Sequence, residues 1–117
     1  MNLRIEALAE ATYVSPAGRM DFDAAPGFQA AIEQLMSGAA EPAAVIVDGT
    51  ALEYVSSAGL RAVLLAARAA QRAGIPFALC ALQPAVREVF ELSGFTRIIS
   101  VQADRATALA QAQQGRP

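Results

Sequence analysis

The sequence predicts an α/β domain, about four helices covering a mixed, mostly parallel β-sheet. Three observations carry that expectation. Strand-like and helix-like segments alternate along most of the chain, which implies parallel pairing through right-handed crossovers. Residues 43–47, Ala-Ala-Val-Ile-Val, form a continuous apolar run of the kind found in strands covered on both faces. Residues 57–73 form the longest helical pattern, closed by Gly74 and followed by Pro76.

Each element has its own signal. Leu3, Ile5 and Ala7 alternate with Arg4 and Glu6, the period of a half-buried strand. A weak turn at Ala9-Glu10 joins it to a second strand, expected over Thr12–Ser15 and ended by Pro16-Ala17-Gly18. This initial hairpin makes the sheet mixed. Asp21-Phe22-Asp23 offers acidic caps to a helix whose stripe is Phe28, Ile32, Leu35 and Met36, with Ser37-Gly38 as its stop. The apolar run that follows ends at Asp48-Gly49. In the long helix, Leu60, Val63, Leu64 and Ala67 are expected to be buried, with Arg61, Arg68 and Arg72 largely elsewhere. Phe77–Cys80 reads as a strand. Pro84 opens a helix with Val86, Val89 and Phe90 inward and Ser93-Gly94 as its stop. Ile98-Ile99 is expected as a short strand, and Arg105 to Gln113 as a terminal Ala/Gln helix.

At 117 residues the chain is expected to form a single domain, 1–117, without repeat or linker. Hydrophobic residues make up 55% and charged residues 17%, enough apolar material for a core and too little charge for disorder. Alanine supplies roughly a quarter of the chain, which favours helices packed closely on a sheet. The net charge is −2, with acids and bases interspersed and no basic cluster, which argues against nucleic acid as a partner. The first residues lack the apolar segment of a signal peptide, and no window approaches a membrane span, so a cytoplasmic protein without membrane insertion is expected. A lone Cys80 in an apolar strand reads as an inert core thiol, not part of a disulfide framework.

The candidate functional segment is Tyr54-Val55-Ser56-Ser57-Ala58-Gly59-Leu60-Arg61. It sets two hydroxyls where a strand-like stretch gives way to a helix. A helix N-terminus has amides without intrahelical partners and a positive dipole end. Serines there read as helix caps or as acceptors of a phosphoryl group, and both readings can hold, with Ser56 capping and Ser57 accepting. The chain has no histidine to activate a serine nucleophile, no glycine-rich phosphate loop followed by lysine, and no carboxylate spacing suited to a metal. An enzyme is therefore not expected, nor a cofactor.

The order and spacing of four segments resemble a STAS domain, specifically the bacterial anti-sigma factor antagonist group. Gly18-Arg19-Met20-Asp21 resembles the family's Gly-x-hydrophobic-Asp before its first helix. Val45-Ile46-Val47-Asp48 resembles its central strand, and Tyr54–Leu60 its phosphorylation loop. Ala85–Phe95 resembles its late helix and Ser-Gly turn. The family's loop reads Asp-Ser-(Ser/Thr)-Gly, with the serine after Asp phosphorylated. Aligned on Gly59, that acceptor is Ser57, with Ser56 at the Asp position and Ala58 at the Ser/Thr position.

The resemblance implies partner switching. The unmodified protein would bind an anti-sigma factor, a serine kinase of the histidine-kinase ATPase type, and so free a sigma factor. Phosphorylation would break the complex and a PP2C-type phosphatase would restore it. Asp21 and Asp48 then have two readings, cap or strand-end residue and docking surface, whereas Asp23 reads as a cap alone. Arg61, four residues after Ser57, is expected to reach a phosphate on it. A STAS subunit of a membrane lipid-transport ATPase is the second function the resemblance allows. The start of the long helix would dock either a different protein or another copy, so a homodimer also stays open.

Overall fold

The computed structural model describes residues 1–114. Six strands and four helices follow in the order β1 (Asn2–Ala7), β2 (Thr12–Met20), α1 (Ala25–Ser37), β3 (Val45–Asp48), β4 (Leu52–Val55), α2 (Ser57–Ala73), β5 (Phe77–Cys80), α3 (Pro84–Leu92), β6 (Ser100–Gln102) and α4 (Arg105–Gln114). The strands lie in the order β1-β2-β3-β5-β6, with β4 pairing β2. Only β1–β2 is antiparallel. The mixed, mostly parallel sheet under four helices is thus the architecture the alternation predicts.

β2 departs from its expected bounds. It does not end at Pro16 but runs on to Met20. Proline lacks a backbone donor, so it suits a strand only where that donor is not needed. Its first part lies between β1 and β3, through Thr12–Val14 against Val45–Val47. At Gly18, with φ +93°, the register shifts and β2 takes β4 as its parallel partner, with Met20 opposite Val55. A left-handed backbone at that point favours glycine. The turn-forming residues therefore bend a strand that continues instead of stopping it. β4 has no separate expectation in the sequence, because Leu-Glu-Tyr-Val is too short and too mixed to stand out.

A large core lies beneath α1, α2 and α3. Phe28, Ile32 and Met36 of α1 meet Met20, Val45, Val47 and Leu79 of the sheet, with Val86 and Phe90 of α3. The α1 stripe is as expected, except that Leu35 is only half-buried. In α2 the buried side is Gly59, Ala62, Val63, Ala66 and Ala70, whereas Leu60, Leu64 and Ala67 lie half-buried at its border. The helix sits close to the sheet through small residues, and its leucines fill the flanks. Periodicity weighted by hydrophobicity points at the leucines and so rotates the predicted face.

The other side of the sheet is thinner. Ala11, Tyr13, Ala44, Ile46, Ala78 and Cys80 pack against Ala108 of α4. Burial and the charge of Asp48 push the Cys80 thiol up to about 11, so it is neutral at physiological pH, as an inert core thiol should be. The expected strand at Ile98-Ile99 is displaced: Phe95–Arg97 forms a single 3-10 turn, Ile98 is exposed, and β6 begins at Ser100.

Candidate functional site: the start of the long helix

The sheet delivers the chain to α2 at one point. Met20 ends β2 opposite Val55, the last residue of β4. The Met20 carbonyl then accepts from the Ser56 amide at 3.0 Å and from Ser56 Oγ at 3.2 Å. Ser56 Oγ in turn accepts from the Gly59 amide at 3.1 Å, an N-cap of the usual Ser geometry. Both the lone pair and the proton of Ser56 are therefore in use. Gly59 is enforced by the same crossing: a Cβ there would lie 2.5 Å from the Met20 carbonyl oxygen and 2.8 Å from Val55 Cγ2.

Ser57 is the first residue of the 17-residue helix and is exposed. Its hydroxyl makes no hydrogen bond within the described chain, in contrast to that of Ser56. Ala58 is half-buried and packs against the large core. No acidic residue lies in the first turn of α2. The amides of this turn and the dipole end favour added negative charge. Arg61 is exposed, one turn further on, and forms no ion pair among the described residues.

Asp21 directly follows Met20, whose carbonyl holds Ser56. Its carboxylate accepts from the Ala24 amide at 3.0 Å, closing the turn that leads into α1. Asp23 gives no cap: the residue preceding α1 is Ala24, without a side-chain cap bond. The neighbourhood also includes residues the sequence reading did not single out. Arg19 and Tyr54 face each other across β2 and β4, with the guanidinium 4.0 Å from the ring centroid. Tyr54 is 40% exposed and Phe22 is 78% exposed. Phe22 stands between two aspartates at a chain turn, and an aromatic so placed has no helical or strand stripe to join, which is the signal that could have found it.

Asp48 lies elsewhere. It ends β3, which meets β2 at Thr12–Val14, far down that strand from Met20. It accepts from Arg105 Nε at 2.7 Å, from the Thr50 amide at 3.0 Å and from the Thr50 hydroxyl at 2.6 Å. Burial pushes its carboxyl up, but the Thr50 bonds and the Arg105 guanidinium outweigh that and hold it below the usual aspartate range. Arg105 also donates to Glu6 at 3.3 Å and to Ser15 at 3.2 Å, and stacks over Tyr13 at 4.4 Å. Of the two readings of Asp48, the geometry supplies the structural one: its oxygens engage Thr50 and Arg105, which ties α4 to the sheet.

Among the described residues, no group of three His, Cys, Asp or Glu side chains is arranged to hold a metal ion, and no helix is long and apolar enough to cross a membrane. An open groove of about 530 Å³ lined by Leu3, Arg19, Asp21, Asp23 and Phe28 carries two carboxylates, which disfavours binding of a nucleotide's phosphates there.

The comparisons with known proteins agree with this geometry. The family model for the STAS domain matches residues 2–108. BtrV of Bordetella bronchiseptica, a protein assigned as an anti-sigma factor antagonist, is 48% identical over 66 residues, 56% of this chain and 57% of its own. The chain thus spans little more than half the length of that relative. A Thermotoga maritima protein assigned as an anti-sigma factor antagonist superposes with a TM-score of 0.84 at 16% identity, covering 95% of this chain and 94% of that one. The Bacillus cell fate determinant SpoIIAA in its phosphorylated form gives 0.71 at 22% identity, covering 94% and 98%. With a family match over nearly its whole length and this fold, the chain belongs to the STAS domain family.

Proposed function

We propose that this chain is an anti-sigma factor antagonist and that phosphorylation of Ser57 is its switch. The observation that carries the reading is the division of the serine pair. Ser56 is consumed by the cap and the Met20 carbonyl, while Ser57 presents an unengaged hydroxyl at the dipole end of α2. The match to BtrV supports the functional class.

In this reading, the chain acts as a single cytoplasmic domain and performs no catalysis of its own. Its unmodified form binds an anti-sigma factor, an ATP-dependent serine kinase, and releases a sigma factor. Exposed Phe22 and Tyr54 beside the loop are suited to anchor that partner, since buried aromatics dominate many interfaces. A phosphate on Ser57 adds about −1.5 to −2 charge. The helix end accommodates it, with Arg61 in reach, so the fold survives. The partner's surface must then desolvate it, which costs several kcal/mol in such interfaces and ends the complex. A PP2C-type phosphatase resets the protein.

The test is incubation with the kinase-type anti-sigma factor and ATP, followed by mapping of the phosphate by mass spectrometry. Phosphate is expected on Ser57, absent in Ser57→Ala, with that variant still binding the kinase. Phosphate at another residue overturns the acceptor assignment. Capture of a transporter ATPase from the native cell, with no anti-sigma factor, overturns the function. In the phosphorylated form, Arg61→Ala is expected to lower stability and alter partner release, because the phosphate loses its paired charge. Unchanged stability and release remove Arg61 from the switch.

A further inference from the structure

The outer edge of the sheet carries a pattern that the serine loop does not use and that the Arg105 cluster touches only through Glu6. Among the described residues, β1 pairs with β2 alone, so its other edge is open. The phase of that edge follows from the hairpin. The Leu8 amide donates to the Ala11 carbonyl at 3.0 Å, and the register runs back from Ala7 opposite Thr12 to Asn2 opposite Ala17. In an antiparallel pair, bonded and non-bonded positions alternate. Asn2, Arg4 and Glu6 therefore bond to β2, and Leu3, Ile5 and Ala7 turn their N–H and C=O groups outward. Pro16 fits this phase, since it faces Leu3 at a non-bonded position where its missing donor costs nothing.

The side chains of this edge complement themselves. Arg4 is exposed and has no ion pair among the described residues, Ile5 is 44% exposed, and Glu6 is partly open beside Arg105. Consider a second copy laid antiparallel along β1 with the two-fold axis at Ile5. Ile5 meets Ile5 of the second copy, and Leu3 meets its Ala7. Each of these is an outward-facing pair able to exchange both backbone bonds. Arg4 faces Glu6 of the second copy at a close, non-bonded position, and Glu6 faces its Arg4. Moving the register by two residues in either direction keeps the bonding phase but sets Arg4 against Arg4 or Glu6 against Glu6. Parallel pairing in register does both. Charge thus favours this arrangement over its neighbours, as registers are selected elsewhere by side-chain pattern.

We infer that β1 is a homodimerisation edge, on which a second copy of this chain adds antiparallel about Ile5 to make one continuous sheet. Isolated edge charges usually guard a sheet against such pairing. Here they are of opposite sign, two residues apart and centred on an apolar residue, so they guard against the neighbouring registers and favour this one, which also keeps the longest overlap. The buried area is small, and the dimer is correspondingly weak and sensitive to salt.

Sedimentation velocity on the full chain over a rising concentration series tests this. The chain is expected to move from monomer to dimer. Arg4→Glu, which sets like charges opposite each other at both ends, should weaken association roughly tenfold or more. Glu6→Lys should do the same. An equimolar mixture of the two variants should regain the dimer, because each then offers the charge the other lacks. Ile5→Pro removes an outward N–H that β2 does not use and should also give a folded monomer. The inference is overturned by a chain that stays monomeric throughout, by a dimer that Arg4→Glu and Ile5→Pro leave intact, or by a variant mixture that stays monomeric while each variant is folded by circular dichroism.

Discussion

Two polar clusters sit at the ends of parallel strands, and they are built to opposite purposes. At the end of β3, every oxygen that Asp48 offers is taken up by Arg105 and Thr50, and Arg105 is further shared with Glu6, Ser15 and the Tyr13 ring. At the end of β4, one serine is equally occupied, but the next is left with its hydroxyl open, and Arg61, Phe22 and Tyr54 around it are exposed. The first cluster is closed on itself and holds a helix to the sheet. The second is closed only as far as its frame and leaves its outermost groups unengaged. Satisfaction of hydrogen bonds, more than charge or position, is what distinguishes the two clusters, and the proposed site is the unsatisfied one.

The contrast can be attacked from both sides. The largest effect is expected from Gly59→Ala, which drives a methyl into the Met20 carbonyl and should cost about 3 kcal/mol in chemical unfolding. It should also impair phosphorylation, because the frame of the open cluster moves. Asp48→Ala leaves Arg105 without its nearest carboxylate and should cost about 2 kcal/mol while leaving partner binding unchanged. Loss of binding in that variant, with stability intact, would return Asp48 to the docking surface.

The same node has a pH signature. The folded Asp48 carboxyl titrates below its unfolded counterpart, so its contribution is full above the ordinary aspartate range and is lost as pH falls through the lower, folded value. Melting temperature should therefore fall in acid more steeply for the wild type than for Asp48→Ala, and parallel curves would deny the node its role. Ser56→Ala removes the cap and should cost about 1 kcal/mol. Ser57→Ala, the smallest, should stay within about 0.5 kcal/mol of wild type, as for an exposed site without partners. A larger loss at Ser57 than at Ser56 would reverse the assignment of the pair.

Much of this was legible in the sequence because the signals were local. The bounds of α2 follow from Ser56 before it and Gly74 after it, and Gly74 adopts the left-handed conformation at φ +72° that ends helices. The alternation of elements was enough for a mixed, mostly parallel sheet, though not for the order of its strands. What local signals could not carry was decided by distant partners. The course of β2 beyond Pro16 depends on β4, which lies more than thirty residues later and has no strong pattern of its own. The face of α2 depends on how closely the sheet approaches, which alanine permits and leucine obscures. Asp48 could be seen as polar and strand-terminal, but its partner Arg105 is 57 residues away, and nothing short of the fold joins them.

The change of partner along β2 has a consequence for the order in which the molecule is made. Its first half can close with β1 as a local hairpin within microseconds of both strands being free. Its last residues, Gly18–Met20, have no ladder partner until residues 52–55 arrive. The Met20 carbonyl that positions Ser56 belongs to that waiting half. The acceptor loop is therefore among the late contacts of folding, separated from β2 by a long loop whose closure is slow relative to the hairpin. A nascent or partly unfolded chain would carry the serines but not the site, and a kinase that reads the framed loop would act only on molecules that have finished folding.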